Sequence, residues 1–168
     1  TKNYLKLIQS KDEVTKLKAT TKLAEIYLES GDLNKAKATI SSIPNGSKTG
    51  ILKTVLNAQL ALISKDYPAA VEKFSSLFNE EQKLSPRLYQ IALIGLADAR
   101  HAAGQTQEAV IGLTEFISSH QDSTILLPAF ERLSAWATVP ILATDPFYLQ
   151  LSKWAGRDLD SASELGLQ

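Results

Sequence analysis

Two histidines, one adjacent acidic pair in the middle of the chain and one Asn-Gly-Ser tripeptide are the side chains in this 168-residue sequence whose types and spacing invite chemistry. His101 and His120 stand 19 residues apart, too far to share a helical turn. A zinc site of the His-Glu-x-x-His kind needs its ligands one turn apart, and no such spacing occurs. Both histidines fall near expected helix C-termini, and we read them as surface or structural groups. Glu80 and Glu81 are sequence neighbours, and neighbours on a helix point apart. Acid–base catalysis needs two carboxylates converging in one cleft with separated pKa values. Asn45-Gly46-Ser47 has the pattern of an N-glycosylation acceptor, but Asn-Gly is also a common turn pair, and the turn is the reading adopted. No Gly-rich phosphate loop is present, and the absence of Cys excludes disulfides, thiolate ligands and a thiol nucleophile. The expectation is a protein that is not an enzyme and holds no metal and no cofactor.

Charge points away from nucleic acid. Eighteen basic residues balance 18 acidic ones. The first 50 residues carry nine Lys against five acids, hence +4, and the rest carries −4. This is a mild asymmetry of solvated faces, without the basic stripe that a nucleic-acid binder shows. An apolar fraction of 44% is enough for a packed core. The 14 Gly and Pro residues lie between periodic segments, which favours long helices over many short strands. No run of about 18 apolar residues is present, so this segment is not expected to insert into a membrane. The chain contains no Met and opens on Thr1, which leads us to expect a processed or cut form with a signal or anchor ahead of it.

The elements that must position any functional surface repeat along the chain. Leu23-Ala24-x-x-Tyr27-x-x-x-Gly31, then Ala36, Ile40 and Pro44, aligns with Asn57-Ala58-x-x-Ala61-x-x-x-Lys65, then Ala70 and Phe74. Both align with Leu96-Ala97-x-x-Arg100-x-x-x-Gly104, then Ala109 and Leu113. Ala36 and Ala70 are 34 residues apart, Ala70 and Ala109 are 39 apart, and the segment 79–85 holds the extra residues. Small residues at Ala24, Ala58 and Ala97, and at Ala36, Ala70 and Ala109, let paired helices approach closely. Ile40, Phe74 and Leu113 fill the seam between them. Gly31 and Gly104 suit a helix end that requires positive φ.

These residues resemble the tetratricopeptide repeat in degenerate form. The match is fullest from Leu23 to Pro44 and covers about 100 residues. The opening Trp of the pattern is replaced by Thr20, Thr54 and Leu93. Ala61 and Arg100 stand where the aromatic would be. The resemblance implies an all-α fold, a right-handed α-solenoid of antiparallel helix pairs, with about three repeats and an irregular closing pair. The expected domain spans 1–156, with repeats near 17–44, 51–79 and 90–119, a closing pair at 124–156 and a loosely held tail at 157–168. In detail, we expect a short helix at 2–9 and a Ser10/Glu13 capping box opening a helix to Ser30. Asp32 and Asp66 should cap the partner helices, and Ser85 with Pro86 should open the third pair. A helix is expected from Gly50 to Ser64, one from Thr106 to about Ser119, and one from Thr124 to Ala137. Asp145-Pro146 should begin a last helix carrying Phe147, Leu151 and Trp154 and ending at Gly156. Trp136 and Trp154 are placed in the core of the closing pair with Leu133 and Leu151.

The first helix of each repeat presents residues at equivalent offsets: Thr21, Glu25 and Leu28; Val55, Gln59 and Leu62; Ile94, Asp98 and His101. The resemblance implies that this stripe lines a concave groove. The expected function is a protein–protein interaction scaffold whose groove binds a peptide or helical segment of a protein partner, apolar with some basic character. Two readings of the groove stay open, a site for a partner or a seat for the protein's own first or last helix. Family members that clamp acidic chaperone tails use Lys and Asn on this stripe, which here carries Glu25, Gln59 and Asp98. Others in the bacterial envelope join such repeats to an N-terminal membrane anchor and serve secretion or assembly. The periplasm or a membrane-anchored envelope position is therefore expected ahead of the cytoplasm. The alternative is a non-catalytic accessory or self-assembling domain of a larger protein, an enzyme included.

Overall fold

A computed structural model of the chain describes residues 2–78, 84–119 and 126–136, which hold eight α-helices and no strand. The fold is all-α. It divides into two compact units, residues 1–105 and 106–168, and the boundary falls inside the third expected repeat.

The first unit contains α1 (Lys2–Leu7), α2 (Glu13–Glu29), α3 (Leu33–Ser41), α4 (Ser47–Ile63), α5 (Tyr67–Ser76) and α6 (Pro86–Ala102). Helix starts follow side-chain chemistry. The Asp32 carboxylate accepts from the N–H of Lys35 at 3.2 Å, and Asp66 accepts from Ala69 at 3.3 Å. Ser85 caps α6, with Pro86 in its first turn. These three caps are the expected ones. The start of α2 is a correction. Asp12, and not Ser10, caps it, accepting from the N–H groups of Val14 at 3.3 Å and Thr15 at 3.0 Å. A carboxylate satisfies two orphan donors and meets the positive end of the helix dipole, which a hydroxyl does not. Ser10 is left to accept from the Asp12 N–H at 3.1 Å. Helix α4 starts at Ser47, ahead of the expected Gly50, because Gly46 takes the extended N-cap conformation there.

The ends of the long helices are built alike. The N–H groups of Asp32, Asp66 and Gln105 reach back to the carbonyls of Tyr27, Ala61 and Arg100 at 3.0, 2.9 and 2.8 Å. Those bonds require the preceding residue at positive φ. Gly31 stands at +74°, Lys65 at +63° and Gly104 at +82°. The same turn thus recurs at the spacing read from the sequence, even where Lys replaces Gly.

Two cores hold the first unit. In one, Ala24 and Leu28 of α2, Ala36 and Ile40 of α3, Ile43 and Leu56 pack together. In the other, Val55, Ala58 and Ala61 of α4 meet Ala70 and Phe74 of α5, Leu77, and Ala92, Leu96 and Ala99 of α6. Ala24, Ala36, Ala58 and Ala70 are fully buried, as the close approach of paired helices demands. Gly95 allows a close approach. A methyl group there would lie 2.3 Å from the Phe74 ring, so the ring rests on the bare backbone of α6. Within this unit each helix packs on its neighbour in sequence, and α4 also touches both α2 and α6.

In the second unit, α7 (Thr106–Ser119) packs on α8 (Leu126–Trp136). Ala109, Leu113, Phe116 and Ile117 are buried on α7, and Ala129 and Leu133 on α8. Trp136 is half-buried at the end of α8. The expected helix at 146–156, with Trp154, lies outside the described residues, as do Glu80, Glu81 and His120.

Lys65 gives a test of the helix ends. A side chain in the left-handed region costs about 1–2 kcal/mol, partly offset because Gly has more freedom to lose on folding. Lys65→Gly is expected to raise stability by about 0.5–1 kcal/mol, and Gly31→Ala to lower it by about 1 kcal/mol, in urea melts with unchanged m-values.

Candidate functional site

The stripe expected to line the groove is divided by the structure. Leu28 is 5% exposed and Val55 only 2%. Each belongs to a core, Leu28 against α3 and Val55 against α5 and α6. These two are corrections to the sequence reading, because a side chain already enclosed by its own helices offers nothing to a guest. A Glu at Val55 would disrupt the fold instead of probing a surface. The other seven residues are half-buried: Thr21 and Glu25 on α2, Gln59 and Leu62 on α4, and Ile94, Asp98 and His101 on α6. Leu62 packs its inner side against the second core. The Thr21 hydroxyl donates back to the Leu17 carbonyl at 2.8 Å, so it is turned along its own helix.

Glu25 is the centre of the local electrostatics. Its Oε2 accepts from Lys22 Nζ at 2.7 Å, and its Oε1 lies 3.6 Å from Arg87 Nη2. Lys22 belongs to α2 and Arg87 to the first turn of α6, two helix pairs' worth of chain away. The carboxylate therefore ties together two helices that both touch α4. The hydrogen bond from Lys22 and the negative charge of Glu25 raise the Lys22 pKa above its ordinary value. Arg87 is 74% exposed, so the pair is screened and its worth lies in orientation more than in energy. One consequence is that Glu25 does not present a free negative charge to a ligand, and the acidic character expected from the sequence is reduced.

Arg87 was not among the expected site residues. It lies seven positions ahead of Ile94, on the same helical stripe, so extending the stripe by two turns would have included it. Lys22 falls beside Thr21 and was left out for the opposite reason, because adjacent positions point in different directions and only the length of its side chain brings it to Glu25.

Other chemistry is sparse among the described residues. No group of three or more His, Asp or Glu side chains converges in a way that would hold a metal ion. No buried side-chain nitrogen or oxygen lacks a hydrogen-bond partner. No helix is long and apolar enough to cross a membrane.

The Lys22–Glu25 contact is open to direct measurement. A raised folded-state pKa means that the contribution is present below the unfolded value and is lost as pH rises through the folded one. In Glu25→Gln the Lys22 side chain is expected to titrate at lower pH than in the parent chain, followed by the side-chain methylene shifts in NMR. An unchanged midpoint would show that the pair does not form in solution.

Comparison of the chain with family models, with curated proteins and with solved structures returns no match.

Proposed function

We propose that this chain is a protein-interaction module of the tetratricopeptide kind, and that it binds a peptide or helical segment of another protein across α2, α4 and α6. The observation that carries the reading is the Glu25–Arg87 ion pair at 3.6 Å, which joins α2 to α6 while both helices touch α4. Those contacts bring the first helices of successive pairs together on one side. Further support comes from the recurrent positive-φ turn at positions 31, 65 and 104 and from the buried Ala24, Ala36, Ala58 and Ala70 of the α2–α3 and α4–α5 pairs. In this reading the pairs stack as a right-handed solenoid, and α2, α4 and α6 line its inner face.

The chemistry of that face sets the guest. Leu62 and Ile94 offer apolar contact, beside Gln59, Asp98 and His101, all partly exposed. With Glu25 engaged by two cations, recognition rests on apolar side chains of the guest and on hydrogen bonds to the polar rim. Basic residues of the guest contribute less than the sequence alone would indicate. An amphipathic helix or an extended segment with spaced apolar anchors fits these terms.

The substitution Ile94→Glu tests the reading, since this side chain is partly exposed, belongs to neither of the two cores and lies on a helix, which tolerates Glu. Circular dichroism is expected to stay unchanged. Proteins captured by the parent chain from its native lysate, identified by mass spectrometry, are expected to be lost from the variant. The same captured set with both chains would place the binding surface elsewhere.

A further inference from the structure

The turn that hands α3 over to α4 brings together the parts of a chemical reaction. Asn45 is exposed, and its side-chain Oδ1 accepts from Lys53 Nζ at 3.1 Å. The same ammonium donates to the Ile43 carbonyl at 3.1 Å, which holds it in place over the turn. Gly46 follows with extended backbone, φ −175° and ψ 165°. It has no side chain to shield its nitrogen, and among the described residues its N–H is engaged by no acceptor. An exposed side-chain amide, a glycine nitrogen next to it and an ammonium on the amide oxygen each favour attack by the backbone on the side chain. The cation sits where negative charge develops as the amide carbon becomes tetrahedral.

We propose that Asn45 is a site of spontaneous deamidation and isoaspartate formation, promoted by Lys53. The Gly46 nitrogen gives its proton to solvent base and forms a bond to Asn45 Cγ. The carbonyl π electrons move to Oδ1, where the Lys53 ammonium stabilises them. Their return reforms the carbonyl and breaks the Cγ–Nδ2 bond, and Nδ2 leaves as ammonia after taking a proton from solvent. The cyclic imide left behind is opened by water. Addition at Cγ restores the backbone with an aspartate side chain, and addition at the backbone carbonyl gives isoaspartate, with the chain running through Cβ. The net change is an amide and water going to a carboxylate and ammonium, with no oxidant or reductant.

The product suits its surroundings better than the amide does. Helix α4 has Gly46 as N-cap and no side-chain cap, whereas α2 and α6 carry Asp12 and Ser85. A carboxylate at position 45 would lie just ahead of that uncapped, partly positive helix end and against the Lys53 ammonium, and both favour it. The isoaspartate form also adds a backbone carbon at the junction between the first and second helix pairs. The reaction thus writes a charge and a length change into the link between repeats.

The test is incubation of the intact chain at mildly alkaline pH, with peptide mapping by mass spectrometry and labelling by a protein isoaspartyl methyltransferase. A synthetic peptide covering 41–56 provides the unstructured reference. The modification is expected at Asn45, faster in the folded chain than in the peptide, and several-fold slower in Lys53→Met, which keeps most of the stem and removes the ammonium. Gly46→Ala should slow it in both chain and peptide. A folded chain that reacts more slowly than the peptide would mean that the turn protects Asn45, and the proposal would fail. A Lys53→Met chain that reacts as fast as the parent would equally remove Lys53 from the reaction.

Discussion

The ring of Phe74 lies on the backbone of α6 at Gly95, and the first unit depends on that contact. Phe74 is fully buried, and no side chain larger than hydrogen fits beneath it. The contact fixes how closely α5 approaches α6. Because α4 packs on both, it also fixes where the exposed stripe of α6 stands beside that of α4. The placement of the α6 stripe beside that of α4 is therefore set from beneath, by the size of one ring and the absence of one side chain.

The two cores solve the same packing problem with different volumes. In the first, Ile40 shares the interior with Leu56. At the equivalent positions of the second, 34 and 39 residues on, stand Phe74 and Gly95. A larger residue on one helix is matched by a smaller one on the next, which is how interiors keep their density when sequence drifts. This accounts for a repeat that is weak in residue identity yet consistent in backbone geometry. Lys65 shows the same tolerance, because the turn is held by its hydrogen bonds even with a residue that pays for positive φ.

Much of this was legible in the sequence, for definable reasons. Alanines at fixed spacing marked the helix crossings, and Asp32, Asp66 and Ser85 marked helix starts, because close approach and orphan N–H groups are local requirements. Asp12 was hidden by Ser10 and Glu13, whose spacing imitates a capping box. The candidate surface was less legible. Thr21, Val55 and Ile94 share one offset, but Val55 is buried where α5 and α6 close over it, while the other two stay partly exposed. Offset along a helix gives direction, and burial depends on what the next helix brings. Arg87 and Lys22 were missed because long side chains act beyond their own position, and the spacing of Cβ atoms does not record reach.

A double-mutant cycle at Phe74 and Gly95 tests the central contact most directly. Gly95→Ala alone is expected to cost about 1–3 kcal/mol through overpacking. Phe74→Leu alone should cost about 1 kcal/mol or more, but it leaves room above residue 95. Combined, the two should cost less than the sum of the single changes by at least about 0.5 kcal/mol, because the smaller side chain accepts the added methyl. Additivity within about 0.3 kcal/mol would show that the ring does not rest on the glycine, and would contradict the account.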